Sequence, residues 1–395
     1  MIASTWCERE TMRSKAPQSM MAAAIAALTL LGVSGCDDSG TSTVGPSTSS
    51  ATTAPADPGD EASPTNSPTT EGVAPDAVEV GPNPSPGCAE PSAPVAEITL
   101  TVDGTERRAL VNIPSTDEPE PIPLILSFHG AGMTPEAQAI LDEFTDEGAH
   151  EPARALVVRP AGLAQPRFGG EMTGWNLEPD VPIDDVAFVT ALLDRLEAQY
   201  CVDLDRVYAA GMSNGGGMAE LLACSLPDRV AAVALVSAMS MSIPCAADAP
   251  VPIIAFRGTL DLFFPYAGSG RGDNTFPFEQ WADEWADRNG CDPGRQYDPP
   301  EGQVQPMSWS GCEAATEAYR LYGYGHAWPR LAPGPARGAA EAAQLATCDL
   351  PSAQENAASY GVSCEDLIRN IFLDPFGYSA AEEILRFFAE NSLAA

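Results

Sequence analysis

Short apolar runs alternating with amphipathic segments predict an α/β chain with a mostly parallel central sheet covered by helices on both faces. Three observations carry this. The runs Pro123–Phe128, Ala155–Pro160 and Val251–Thr259 are apolar almost throughout, as strands buried on two faces require. The stretches between them place apolar residues at helical spacing, as in "DDVAFVTALLDRLEAQY" from Asp184. No internal repeat and no second domain interrupts the alternation.

The elements follow in order. "EITLTVDGTERRALVNIP" alternates on either side of Asp103-Gly104, a hairpin signal. "PLILSFHG" is a buried strand, and Thr134-Pro135 opens a helix expected to run to about Glu147. "ALVVRP" is the next strand, and the helix from Asp184 leads to the strand "DRVYAAG". "GGGMAELLAC" reads as a helix, and Arg229–Ala238 and Val251–Thr259 as strands. "FEQWADEWADRNG" is a helix stopped at Gly290, "TEAYRLYGYGH" holds the last strand, and "SAAEEILRFFAEN" is a final amphipathic helix.

This pattern occupies residues 88–395 of a 395-residue chain. Residues 1–35 have the form of an export signal: Arg13 and Lys15, then an apolar run from Met20 to Val33, then small residues. The run is short for a membrane span. "VSGC" resembles a bacterial lipobox, which makes Cys36 the expected lipidation site. Residues 36–87 are rich in Ser, Thr, Pro and acids, a composition that cannot bury enough surface to fold. The expectation is a tether between a lipid anchor and the folded domain, on a protein exported to the bacterial envelope or secreted.

Ten cysteines are present. Setting aside Cys7 and Cys36 leaves Cys88, Cys201, Cys224, Cys245, Cys291, Cys312, Cys348 and Cys364, an even set that suggests disulfides in an exported chain. Spacing alone fixes no connectivity. The expected pairs are Cys291 with Cys312, Cys348 with Cys364 and Cys224 with Cys245, leaving Cys88 for Cys201. There is no Cys-x-x-Cys and the histidines are scattered, so no metal is expected.

The net charge is −35, and Lys15 is the only lysine. A domain without lysine excludes Schiff-base, Ser-Lys and P-loop chemistry. The acidic surface argues against nucleic acid and polyanionic substrates, but would not repel a neutral polymer or small ester. Oligomeric state is left open.

"VYAAGMSNGGGMAE" places Ser213 in G-x-S-x-G, between a strand and a helix. Such a turn needs small neighbours, supplied by Gly211, Gly215 and Gly216, and raises the serine at the carboxyl edge of the sheet. A neutral serine needs a base. The chain has three histidines. His150 lies between a helix and a strand at the wrong end, His129 precedes the serine at the end of "LILSF", and His326 follows the last strand in "GYGHAWP". Asp261, just past "IIAFRGT", is the expected acid, with Asp248 and Asp273 as competitors.

"LILSFHG", "GWN", "DDVAFV", "DRVYAAGMSNGGGMA", "FRGTLDLFFPY" and "GYGHAWP" together resemble, in order, the secreted polyhydroxybutyrate depolymerase-like and feruloyl esterase-like α/β-hydrolases. The resemblance covers about Val111 to Trp328 and the last helix. It implies the α/β-hydrolase fold, carboxylic-ester hydrolysis without a cofactor, and Ser213, Asp261 and His326 as a triad. It also implies Asn214 and Ala131 N–H groups as the oxyanion hole, and substrate contacts at His129, Trp175, Asn176 and Trp328. Two features depart from the family. Arg330 follows "WP" where a glycine is usual, and an insertion at about 331–376 precedes the last helix, either a lid or a stapled loop elsewhere. A serine peptidase and a catalytically inactive ligand-binding lipoprotein on the same fold are the alternatives.

Overall fold

The computed structural model describes residues 81–393, apart from 115–119, 146–152, 166–171, 179–180, 239–244, 246–248, 269–275, 331–344, 350–353, 355–356, 359–360, 372 and 376. The signal, Cys36 and most of the tether therefore lie outside the described residues, as do His150, Asp248 and Asp273.

The hairpin forms as read. β1 (Glu97–Val102) and β2 (Thr105–Asn112) pair antiparallel, Val102 opposite Thr105, and Asp103 and Gly104 turn the chain at positive φ. β3 (Ile122–Phe128), β4 (Leu156–Pro160), β7 (Val202–Met212), β8 (Ala232–Val236), β9 (Ile253–Gly258) and β12 (Thr316–Leu321) form the parallel centre, in the order β4-β3-β7-β8-β9-β12. β2 lies antiparallel beside β4. On the far side, β11 (Val304–Ser308) and β10 (Gln296–Tyr297) extend the sheet antiparallel from β12. A separate two-residue ribbon pairs β5 (Leu163–Ala164) with β6 (Thr173–Gly174). These β10, β11, β5 and β6 segments have no counterpart in the sequence reading. Pro306 inside "VQPMS" breaks the strand pattern there, and the other three are two residues long.

Alternate residues of β3 feed different cores. Leu124, Leu126 and Phe128 join the face covered by α2 (Asp185–Gln199), α3 (Asn214–Ser225) and α4 (Phe278–Arg288), while Ile125 joins the face covered by α6 (Ala380–Glu390). Asp184 and Ser379 cap α2 and α6, accepting from Ala187 N and Glu382 N. The architecture is an α/β-hydrolase sheet with helices on both faces. Because β3 sits between β4 and β7, the chain reverses direction across the sheet there, and the carboxyl ends of β3 and β7 flank a switch point.

Helix α1 (Pro135–Leu141) ends earlier than its composition suggests. Asp142 is the cause. Its carboxylate takes both Nε and Nη2 of Arg159 at 2.7 Å, the Ser127 hydroxyl at 2.7 Å and the Phe144 N–H at 3.3 Å, which turns the chain off the helix. Asp142 and Arg159 are both fully buried. Asp142→Ala should therefore cost about 3–5 kcal/mol, because it strands a buried guanidinium. Chemical denaturation checks this, and a loss below about 1 kcal/mol would mean that the pair is solvated.

Among the described residues four disulfides join Cys88 to Cys201, Cys224 to Cys245, Cys291 to Cys312 and Cys348 to Cys364, the expected pairing. Each contributes about 2–4 kcal/mol and suits an oxidising compartment.

Glu220 on α3 is buried and accepts the indole N–H groups of Trp281 and Trp285, each at 2.9 Å. Burial pushes its pKa from 4.5 up to about 8, against those two hydrogen bonds. The folded chain thus keeps a proton that the unfolded chain releases, so stability falls as pH rises from about 4.5 to about 8. The slope is at most about 1.4 kcal/mol per pH unit. Glu220→Gln should flatten it, which unfolding in denaturant at pH 5 and pH 8 would reveal. An unchanged slope would place the loss in another group.

Candidate active site

Ser213 stands between β7 and α3 with φ 55° and ψ −120°, a conformation that L-residues rarely adopt. The tightness of the turn explains its glycines. A Cβ on Gly211 would collide with Gly215 backbone, and one on Gly215 would meet the carbonyls of Phe128 and His129. Strand end, helix start and β3 loop therefore touch backbone to backbone. A methyl on Gly130 would stand 3.5 Å from Ser213 Cβ, so that loop passes directly beside the serine. Ser213 N–H donates to Val236 O at 2.9 Å, fixing the elbow to the end of β8.

His326 and Asp261 are both buried, and His326 Nδ1 lies 2.9 Å from Asp261 Oδ2. Asp261 Oδ1 accepts the N–H groups of Phe263 and Phe264, each at 2.9 Å. One oxygen thus holds the turn and the other holds the imidazole. With Nδ1–H donated to the carboxylate, the neutral ring carries its lone pair on Nε2. Phe263 and Phe264 flank the ring, with centroids 4.7 and 5.4 Å away. Two adjacent residues tie this loop to the elbow: Val236 accepts from Ser213, and the Ser237 hydroxyl donates to Ala327 O at 3.0 Å.

His129 is fully engaged elsewhere. Its Nδ1 meets Gly130 O at 2.8 Å, and its Nε2 accepts the Gly162 N–H at 2.9 Å, which fixes the Nδ1–H tautomer. Burial outweighs the bond to Gly130 and lowers its pKa to about 4, so the ring is neutral at physiological pH. Neither nitrogen is available to accept a proton from a nucleophile.

The structure corrects the expected substrate contacts. Trp175 is fully buried; its Nε1 donates to His129 O at 2.9 Å and its ring sits edge-on to Phe128. The Asn214 side chain brackets the Trp175 backbone, accepting its N–H at 2.6 Å and donating to its carbonyl at 3.1 Å. Trp328 is 1% exposed in the opposite core, edge-on to Phe144. Asn176 caps its own turn, donating to Ile183 O at 2.7 Å and accepting from Glu178 N–H at 3.0 Å. His129, Trp175 and Asn176 support the loops around Ser213, Trp328 fills the opposite core, and all four are buried. The polar groups of His129, Trp175 and Asn176 need buried partners, and the backbone of neighbouring loops supplies them.

The insertion begins to resolve as well. Its described part includes α5 (Cys364–Ile371), and Leu367 and Ile368 pack with Ala357 against Leu262 and Phe263, the residues after Asp261. Arg330 is buried, donating Nε to Glu143 at 2.7 Å and its N–H to Asp374 at 3.2 Å. It thereby joins the loop after His326 to the exit of α1. Sequence reasoning missed Arg159–Asp142, Arg330–Glu143 and the contacts of Asn370. For the first, an arginine inside the apolar run "ALVVRP" was the available signal.

Residues 181–256, from just before α2 into β9, match the family model described as "Esterase PHB depolymerase". That span contains Ser213 and stops short of Asp261 and His326. Over 234 residues the chain is 28% identical to feruloyl esterase D of Neurospora crassa, covering 55% of this chain and 72% of that protein. It is 28% identical over 248 residues to a protein of Aspergillus niger named "Probable feruloyl esterase C", covering 61% and 83%. A shorter match, 35% over 129 residues, links it to feruloyl esterase B of Piromyces equi, where it covers 30% of this chain and 24% of the relative. These matches make the chain similar to polyhydroxybutyrate depolymerase-like and feruloyl esterase-like enzymes, and it is a carboxylic ester hydrolase.

Proposed function

We propose that the chain hydrolyses esters through an acyl-enzyme on Ser213, with His326 as general base and acid and Asp261 orienting it. The observation that carries this reading is the buried 2.9 Å contact of His326 Nδ1 with Asp261, held next to a strained serine elbow. Ser213 Oγ attacks the ester carbonyl while His326 Nε2 accepts its proton. The N–H groups of Asn214, at the start of α3, and of Ala131 hold the tetrahedral oxyanion. The neighbouring N–H groups of Gly132 and Met133 are committed to Thr173 O and Gly130 O, at 2.7 and 3.1 Å. Losing one oxyanion donor typically costs about 2.7–4 kcal/mol of transition-state stabilisation. His326 then protonates the leaving alcohol, and water repeats the sequence on the acyl-enzyme.

The substrates proposed are feruloyl or acetyl esters of neutral polysaccharides, or 3-hydroxybutyrate oligomers. The names of the relatives support the acyl groups, and the net charge of −35 favours an uncharged partner. The protein is proposed to act outside the cytoplasm, secreted or held to the envelope by lipid on Cys36. Turnover of p-nitrophenyl acetate, methyl ferulate, a 3-hydroxybutyrate trimer and an acetylated xylan oligomer tests this directly. Hydrolysis of at least one of them supports the reading, and the preferred one names the substrate class. Binding without hydrolysis of any would favour a ligand-binding lipoprotein, and cleavage of peptides in place of esters a peptidase.

A further inference from the structure

Asn370 in α5 is buried, and its side chain reaches both neighbours of Asp261. Its Oδ1 accepts the Leu262 N–H at 3.0 Å, and its Nδ2 donates to Leu260 O at 2.6 Å. The carboxylate-bearing residue is thus gripped on both sides by one amide. The same residue holds the other loop. The His326 N–H donates to Asn370 O at 3.0 Å, with a longer contact of 3.3 Å to Oδ1. Gly325 packs so closely that a Cβ there would strike Asn370 O, and its N–H donates to Leu373 O at 2.8 Å. Asp261 and His326 come from segments 65 residues apart. Asn370 bonds to the backbone of both segments.

The helix that presents Asn370 is itself held in place. Cys364, its first residue, is bonded to Cys348, and Leu367 and Ile368 bury against Leu262 and Phe263. An amide suits this position because it offers an acceptor and a donor at once, matching one N–H and one C=O. A buried backbone group deprived of its partner incurs its full desolvation penalty, so each loop is held against small displacements. A shift of about 1 Å in a catalytic group can cost about a hundredfold in rate.

We infer that Asn370 is a positioning residue for the Asp261–His326 pair, and that the segment around α5 acts as a clamp on that pair. This rests on the triad proposed above. The test compares the wild-type protein with Asn370→Ala, Asn370→Asp, Ser213→Ala and, as a control on the exposed side of α5, Arg369→Ala. Each is assayed for kcat and KM on p-nitrophenyl acetate, for thermal midpoint, and for the rate at which a fluorophosphonate labels Ser213. The labelling rate reports the activation of the serine, and its end point counts competent sites.

Asn370→Ala should lower kcat and the labelling rate about 10- to 100-fold, with KM within about twofold, the same end point of labelling, and Arg369→Ala at wild-type values. Asn370→Asp keeps the acceptor for Leu262 but sets an oxygen against Leu260 O. It should also lower kcat, and it serves as the measurement if the alanine variant does not fold. Wild-type kcat in a folded Asn370 variant, with Ser213→Ala inactive, overturns the clamp and leaves the triad standing. A fall in kcat matched by a smaller labelling end point also overturns it, because the loss then lies in folding. Full activity in Ser213→Ala removes the triad and the clamp together.

Discussion

Ser213→Ala should abolish ester hydrolysis, lowering kcat by about six orders of magnitude, as removal of a triad serine does elsewhere. The domain should stay folded. Alanine keeps the Cβ that already tolerates φ 55°, and the Ser213 N–H bond to Val236 O is made by backbone. The change in stability is expected within about 0.5 kcal/mol. Hydrolysis of p-nitrophenyl acetate and thermal unfolding of the same preparation check both halves. Residual activity above about one-thousandth of wild type would move the nucleophile elsewhere, because the oxyanion hole and binding alone leave a far smaller rate than that.

Asp261→Asn should leave the fold intact and lower kcat by about four orders of magnitude. The geometry explains why so small a change is so costly. The two N–H groups of Phe263 and Phe264 require an oxygen at Oδ1. An asparagine satisfying them turns its NH₂ toward His326 Nδ1, which must then become the acceptor. The ring proton moves to Nε2, the nitrogen that has to receive the proton of Ser213. Asp261→Ala differs in a measurable way. It frees the imidazole but strands two N–H groups, so it should cost stability as well, about 1–3 kcal/mol for each one left unpaired in the interior. Asp261→Asn at wild-type rate would assign the acid to another carboxylate.

Much of this was legible in the chain because parallel strands advertise themselves. The runs that became β3, β4, β8 and β9 are buried on both faces, and composition alone reveals that. The elbow was legible because its glycines answer to backbone collisions that no other residue survives. Other features left no local trace. α1 stops at Leu141 because of an arginine on the neighbouring strand, a contact that a helical pattern does not encode. β11 is recruited by β12 despite its proline, since pairing decides it more than propensity. The buried tryptophans were read toward substrate because their motifs lie beside the site. The Trp175 indole instead holds the loop at His129, and the Trp328 ring fills the opposite core against Phe144. Asn370 is invisible in sequence: an asparagine near the end of an acidic helix carries no sign that it will meet a loop more than a hundred residues away in the chain.

The pairing of Trp281 and Trp285 with the single carboxyl of Glu220 also gives the molecule an optical property. When that group loses its proton, a full negative charge appears against two emitting rings at hydrogen-bond distance. Indole emission responds to such a field, so the intrinsic fluorescence of the folded domain should change colour or intensity as pH passes through about 8. The helix that carries Glu220 begins at the serine elbow. A signal from the middle of that helix would therefore follow the integrity of the scaffold behind the site in real time, with no label attached.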